Sequence, residues 1–387
     1  MLDGAKLLEY YRGQTTEMLT LLEELVKRES PSLDKEAVDR AEDWLETELA
    51  VLPVDVERLA QSERGDVLRV VREADGESKG RSVVLLTHID TVWPIGELAR
   101  RPFKVDGDRV TGPGCLDDKN GQVVLMAVLR GIRDLEIPLA GRVVALVNGD
   151  EEVGSTASAS VIREEIRRSD YVLCMEATRV PQSVQTTRRA VGRFVMTIRG
   201  KASHSGAAPE KGVSAISELA EQIRDLHALN NTSKGISVNV GVVKGGERAN
   251  IIAAEATAEI DLRAPSMKAG EAVARKILEA KPHREGITIE VTGGFSRCAV
   301  ERRPEVVKLF ELAKTLGGRL GMDLKESGSG GGSDACFATE LGKPVLDGLG
   351  GVGEGGHSTD EYLLASSLAE SAALVTLLVE HLLNEGL

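Results

Sequence analysis

Apolar positions recur along this chain in two rhythms, one of three to four residues and one of continuous short runs. Met18, Leu21, Leu22 and Leu25 form a stripe at helical spacing, so residues 5–28 are expected to be one amphipathic helix. Ser30-Pro31-Ser32 would end it, and residues 35–50 read as a second helix. Strand-like runs follow at 54–59 and 67–72, and the run from Ser82 to Val92 reads as a buried strand. A glycine-rich loop at 112–121 leads into a helix whose buried face is Val123, Val124, Ala127 and Val128. Val143–Val147 is a further buried strand, a helix is expected near 156–168, and Tyr171–Glu176 is a strand again. Strands alternating with helices in this way predict an α/β fold.

The segment from about 189 to 300 changes the rhythm. A strand at 193–198, a loop at 201–210 and a helix at 212–229 come first. Strands near 236–243 and 255–263, a helix near 267–280 and a strand at 286–292 complete it. The order β-α-β-β-α-β suits a four-stranded sheet with helices on one face. Two domains also fit the length, since 387 residues exceed the size at which single cores stop growing.

Composition narrows the partners. With 48 Lys+Arg against 61 Asp+Glu, the formal net charge of −13 argues against nucleic acid or an anionic membrane surface as the main partner. The N-terminus shows no basic stretch followed by an apolar core, and no apolar run is expected to reach the roughly 20 residues of a membrane-spanning helix. The four cysteines are scattered without paired spacing, as expected of reduced cysteines in a cytoplasmic protein.

The candidate chemistry sits where the strands run out. Val143–Asn148 ends in Gly149-Asp150-Glu151-Glu152, and in open α/β sheets ligands gather beyond the carboxyl ends of strands. An isolated Asp-Glu-Glu is most often a solvated turn. Here other strand ends and loops carry ligand-type residues as well: His88 with Asp90 two residues on, Asp117-Asp118 in the glycine-rich loop, Glu176, and His357 in a second glycine-rich loop. Two aspartates at a helix start would repel phosphate, so metal fits that loop better.

His88-Ile89-Asp90, Gly114–Lys119, Asp150-Glu151-Glu152-x-Gly-Ser, Cys174-Met175-Glu176 and Gly356-His357-Ser358 resemble, in order, the motifs of the co-catalytic zinc exopeptidases. That family includes glutamate carboxypeptidase, aminoacylase, acetylornithine deacetylase and succinyl-diaminopimelate desuccinylase, and the similarity to glutamate carboxypeptidase is strongest. The resemblance implies a mixed, mostly parallel sheet with helices on both faces, formed by 1–188 and 300–387. It also implies an inserted ferredoxin-like lid and dimerisation domain at 189–299. Asp117 would bridge two zinc ions, with His88 and Glu176 completing one and Glu152 and His357 the other. Cobalt or manganese would suit the same nitrogen and oxygen donors. Glu151 would be the general base and Asp90 the partner of His88. The peptide between Asp117 and Asp118 would be cis. His204 would stabilise the oxyanion in the other subunit of a homodimer.

For the substrate, a small peptide or N-acyl amino acid, the resemblance singles out Asn250, with Arg263, Arg297 and Ser333 as further candidate contacts. Arg263 could instead be structural. The glycines at 330–332 let backbone amides approach an anion, and Ser333-Asp334 resembles a helix cap. Asn120 stands where the family commonly has glycine, which bears on substrate fit more than on metal binding. Glutamate at 176 accompanies carboxypeptidases and deacylases, whereas aminopeptidases carry aspartate there. The leading reading is therefore hydrolysis of an amide next to a free carboxylate, with N-acyl-amino-acid deacylation as the alternative. A silent binding relative would have no need of Glu151.

Overall fold

The computed structural model describes residues 2–387, which divide into two compact units. One comprises the chain up to Thr186 with Arg302–Gly328 and Ser333–Leu387; the other comprises Thr187–Glu301 and Ser329–Gly332.

The first unit is built on a six-stranded sheet. Its strands are β1 (Asp55–Leu59), β2 (Val67–Arg72), β3 (Arg81–His88), β4 (Gly141–Asn148), β5 (Tyr171–Cys174) and the short edge strand Val345–Leu346. They lie in the order β1-β2-β4-β3-β5-edge. The β1–β2 and β2–β4 pairs are antiparallel, and the other three are parallel. Val83, Leu85, Val143 and Ala145 share a core with the helices Gly4–Gly13, Thr15–Lys27, Lys119–Asp134 and Ala365–Asn384. Val84, Leu86, Val144 and Leu146 point to the opposite face and are equally buried. Strands covered on both faces read as unbroken apolar runs, which is the pattern of 83–86 and 143–147.

Several boundaries depart from the sequence reading. Residues 5–28 form two helices, Gly4–Gly13 and Thr15–Lys27, because the chain turns at Gln14. Gln14 N–H donates to the Tyr11 carbonyl, closing the first helix beside Gly13, a poor helix former. β3 ends at His88, not at residue 92, and Thr91 N–H turns away to the Ser30 carbonyl. The helix expected near 156–168 runs only Ala159–Arg167.

The expectation that no apolar run reaches membrane-spanning length is also corrected. Ala365–Asn384 is 20 residues and apolar enough to span by length and composition. Its apolarity has another cause: Leu368, Ala372, Val375, Leu378 and Leu382 are all fully buried in the core, packed on Gly4–Gly13 and Lys119–Asp134. A helix apolar all round is what a central core position requires.

The second unit has β6 (Ala190–Arg199), β7 (Ser237–Gly245), β8 (Glu255–Ala264) and β9 (Thr288–Arg297), all antiparallel in the order β7-β8-β6-β9. The helices Ala215–His227 and Met267–Leu278 cover one face, over Phe194, Met196, Ile198, Ile260 and Leu262. With one helix between its first and second strands and another between its third and fourth, this is the ferredoxin-like arrangement. The segment Ser329–Gly332 groups with this unit although it lies within 300–387. Arg188 donates to the Gly332 carbonyl at 2.8 Å, and Gly332 lies so close to Arg297 that a Cβ would meet that side chain at 2.8 Å.

Candidate metal centre

Five segments of the first unit carry the ligand-type residues: the ends of three sheet strands and two glycine-rich loops. β3 delivers His88, which is 2% exposed. Its Nδ1 lies 3.1 Å from the Asp90 carbonyl oxygen and 3.3 Å from the Asp90 carboxylate, leaving Nε2 to face the centre. Asp90 does more than orient this ring. Its two carboxylate oxygens accept from Glu151 N–H at 3.1 Å and Glu152 N–H at 3.2 Å, so one buried group ties the end of β3 to the turn after β4.

That turn is a single 3₁₀ turn, Glu151–Val153, and a buried polar network flanks it. Asp150 accepts from the Ser158 hydroxyl and from Ala157 N–H. Asp334 accepts from the Ser155 hydroxyl at 2.5 Å and from Asn148 Nδ2 at 3.0 Å. Asp334 is the N-cap residue of the helix Ala335–Glu340, as expected, but its side chain makes no capping bond because its carboxylate is taken by the turn.

The loop before Lys119–Asp134 presents Asp117, and the Asp117–Asp118 peptide bond is cis. Asp118 is fully buried and accepts from the Thr87 hydroxyl at 2.6 Å. Burial pushes its carboxyl well above the usual carboxylate range. Asn120 donates to the Leu116 carbonyl and accepts from Gly351 N–H, both at 2.5 Å. Asn120 is thus fully buried and braces the loop. Nor did the sequence reading give Glu361 a role. Its buried carboxylate accepts from the backbone N–H groups of Gly114, Leu116 and Asp117. The signal was its place four residues after His357, just behind the second glycine-rich loop.

Asp117 stands between two histidines. Its Oδ1 is 3.2 Å from His88 Nε2, and its Oδ2 is 3.2 Å from His357 Nε2. Glu176 Oε1 lies 3.6 Å from His88 Nε2, and Glu152 Oε2 lies 2.9 Å from His357 Nε2. Two groups result, His88–Asp117–Glu176 and Asp117–Glu152–His357, each with ligand atoms within 4.8 Å of one another and Asp117 common to both.

The electrostatics of this cluster call for cations. Burial and the negative charge of Asp117 push the Glu152 carboxyl up to about 8. Bonds to Asp117 and Glu152 raise the His357 imidazole to about 11. Burial opposes charge on His88, but bonds to Asp117 and Asp90 raise it well above the usual imidazole range. Three acidic groups converging on two imidazoles make a place that positive charge would stabilise. Two cations would supply it with neutral histidines as ligands, so the donor set fits a pair of metal ions. A third acidic group, Asp39, Glu42 and Asp66, is different, because Lys35 Nζ already lies 2.9 Å from Asp39 and 2.6 Å from Asp66.

Residues 84–381 match the peptidase family M20/M25/M40. The chain belongs to that family. It is 34% identical over 362 residues to carboxypeptidase G2 of Pseudomonas sp. strain RS-16, covering 91% of this chain and 86% of the relative. Among solved structures, aminopeptidase PepT from Bacillus cereus superposes with a TM-score of 0.78 at 23% identity, covering 95% of this chain and 98% of that one. Bacillus subtilis YXEP, a dinuclear metal-binding peptidase of the M20 family, superposes with a TM-score of 0.71 at 17% identity, covering 96% and 99%. This M20 chain is a carboxypeptidase-like metallopeptidase, and its two groups sharing Asp117 are the candidate places for metal ions.

Neither ligand group includes the other residues singled out from sequence. Ser333 is fully buried, and its hydroxyl donates to Asp347 at 2.6 Å. Within the second unit, Arg263 pairs with Asp261 at 2.9 Å, and Arg297 is 5% exposed. Asn250 is exposed, and its carbonyl accepts from Ser205 N–H, which sets it beside His204. His204 is exposed too, and its Nδ1 accepts from Gly206 and Ala207 N–H at 3.2 and 3.1 Å. A ring whose Nδ1 accepts carries its proton on Nε2 in the neutral form, so His204 presents a donor outward.

Removing the shared carboxylate should empty both places at once. Chelation is expected to strip two metal ions per chain, and Asp117→Ala is expected to take up neither when metal is returned, as read by elemental analysis. Retention of one tightly bound ion by Asp117→Ala would contradict a shared ligand.

Proposed function

We propose that this chain is a di-zinc exopeptidase that hydrolyses the amide bond next to a free carboxylate, as a glutamate-carboxypeptidase-like enzyme. The observation that carries this reading is the pair of ligand groups sharing Asp117, with Glu151 in the same turn as the ligand Glu152. The 34% identity to carboxypeptidase G2 supports the carboxypeptidase direction, and so does glutamate at 176. Deacylation of N-acyl amino acids would use the same groups and is the second reading. The scattered cysteines support a cytoplasmic setting.

Two metal ions in this centre would polarise the scissile carbonyl and acidify a water molecule. The chain's own residues then divide the remaining work. Asp117, Glu152, Glu176, His88 and His357 hold the centre, and Asp90 keeps the His88 ring and the Glu151-Glu152 turn in fixed relation. Glu151 accepts the proton of the attacking water and returns it to the departing nitrogen, so that amine and carboxylate leave with atoms in balance. The outward N–H of His204 donates to the developing oxyanion, in the active site of a second subunit joined through the ferredoxin-like unit. Asn250, beside His204, contacts the substrate. Arg263 and Arg297 serve it indirectly, one by bracing Asp261 and the other by backing the Gly332 segment.

Three experiments test this reading. Glu151→Gln keeps the shape but cannot accept a proton, so kcat should fall about 10²–10⁴-fold with two metals retained. Undiminished turnover would remove Glu151 from the role of base. Mixing inactive Glu151→Gln and His204→Ala chains should recover activity in heterodimers, since one site in each would hold both intact residues. No recovery would return His204 to an ordinary loop position. Amidating the terminal carboxylate of an N-acyl or peptidyl glutamate should lower kcat/KM about tenfold or more, given about 1.5–3 kcal/mol for a charge-assisted hydrogen bond. Preference for free-amino peptides with amidated ends would instead indicate an aminopeptidase.

A further inference from the structure

The two ligand groups are not held alike. His88 sits at the end of a core strand and Glu176 two residues beyond another, and the imidazole of His88 is 2% exposed. Glu152 stands on a 3₁₀ turn, and His357 on a glycine-flanked loop, with its side chain 54% exposed. His357 also adopts φ +64°, a left-handed backbone that a residue with a Cβ keeps only when its surroundings impose it. Something outside the sheet must fix the distance between His357 and Asp117.

Glu361 has the geometry to do so. It follows His357 by four residues, and its N–H donates to the Ser358 carbonyl at 3.0 Å, so the peptide backbone between them is closed into a turn. Its side chain crosses to the other loop. Oε1 accepts from Leu116 N–H at 3.0 Å and from Asp117 N–H at 3.2 Å, and Oε2 accepts from Gly114 N–H and Trp93 Nε1–H, both at 3.0 Å. Four donors converge on one carboxylate that is 1% exposed, and one of them is the backbone of the bridging aspartate itself. The loops are in close contact at this point: a Cβ at Gly356 would lie 3.2 Å from Asp117 Oδ2.

We propose that Glu361 is the positioning residue that locks the His357 loop to the Asp117 loop, and thereby sets the metal affinity of the Asp117–Glu152–His357 group. Only a carboxylate fits the role, because all four partners are donors and none can accept. An amide in its place keeps the volume but turns an NH₂ toward two N–H groups, which pushes the loops apart. Loss of a group that orients a ligand costs about 10–100-fold in metal affinity. The His88–Asp117–Glu176 group, anchored on core strands, should feel this much less.

This inference rests on the dinuclear reading above, and the test separates the two. Metal-free protein is titrated with cobalt(II), followed by absorbance and calorimetry, with His357→Ala marking the step that belongs to the His357 group. The wild type should bind in two steps; a wild type that binds fewer than two ions would defeat the dinuclear reading itself. Glu361→Gln should weaken the His357 step about 10–100-fold while the other step stays within about threefold. Unchanged affinity at both steps, or equal weakening of both, would overturn the proposal. Trp93→Phe removes one donor and leaves the three backbone bonds, so it should weaken the His357 step by a smaller factor and spare the other. It decides the matter if Glu361→Gln does not fold, and an unaltered His357 step would then count against the lock.

Discussion

One carboxylate shared between two imidazoles is the interaction on which the rest of this molecule depends. Asp117 presents one oxygen to His88 and the other to His357, and Glu176 and Glu152 approach the same two Nε2 atoms. Gathering three carboxylates at one place is costly unless positive charge is brought to them. The fold answers with backbone donors, buried hydroxyls and rigid strand ends. Asp90 receives two backbone N–H groups, Asp118 receives a hydroxyl, and Glu361 receives four donors. The acidic centre is thus surrounded by further acidic residues that are themselves fully hydrogen-bonded, and the positive charge is left to the place where ligands converge.

His88, Glu151, Glu152 and Glu176 were legible as candidates because each follows a run whose pattern is strong, whereas Asp117 and His357 stood out only within glycine-rich loops. His88 follows Val83–Leu86, and Glu176 follows Val172–Leu173. Glu151-Glu152 follow Val143–Val147, and a strand end is where a buried chain first meets open space. The ferredoxin-like unit was legible for the same reason: its apolar residues alternate with period two in β6 and β8 and recur at helical spacing between them.

What was not legible depends on pairings distant in sequence. Glu361 acts on residues some 245 positions earlier, and Asp334 on Ser155, 179 positions earlier. A lone acidic residue carries no mark of which loop it will meet. Asn120 seemed relevant to substrate only while its neighbours were unknown; with Gly351 and Leu116 against it, its amide is a brace. Ala365–Asn384 shows the opposite ambiguity. Its composition satisfies both a bilayer and a protein interior, and only the side chains around it decide between them.

The division of the chain has a consequence for the order in which it can be made. The ferredoxin-like unit is nearly continuous, from Thr187 to Glu301, and encloses its own core. The metal-binding unit is interrupted, and its sheet edge, His357 and the central helix all come from residues 345–384. Domains fold as units, N-terminal first, as the chain leaves the ribosome at about 5–20 residues per second. The inserted unit is therefore free to close while its host still lacks its central helix. The candidate metal centre comes together only after His357 and the helix Ala365–Asn384 have emerged, so an unfinished chain has no assembled site.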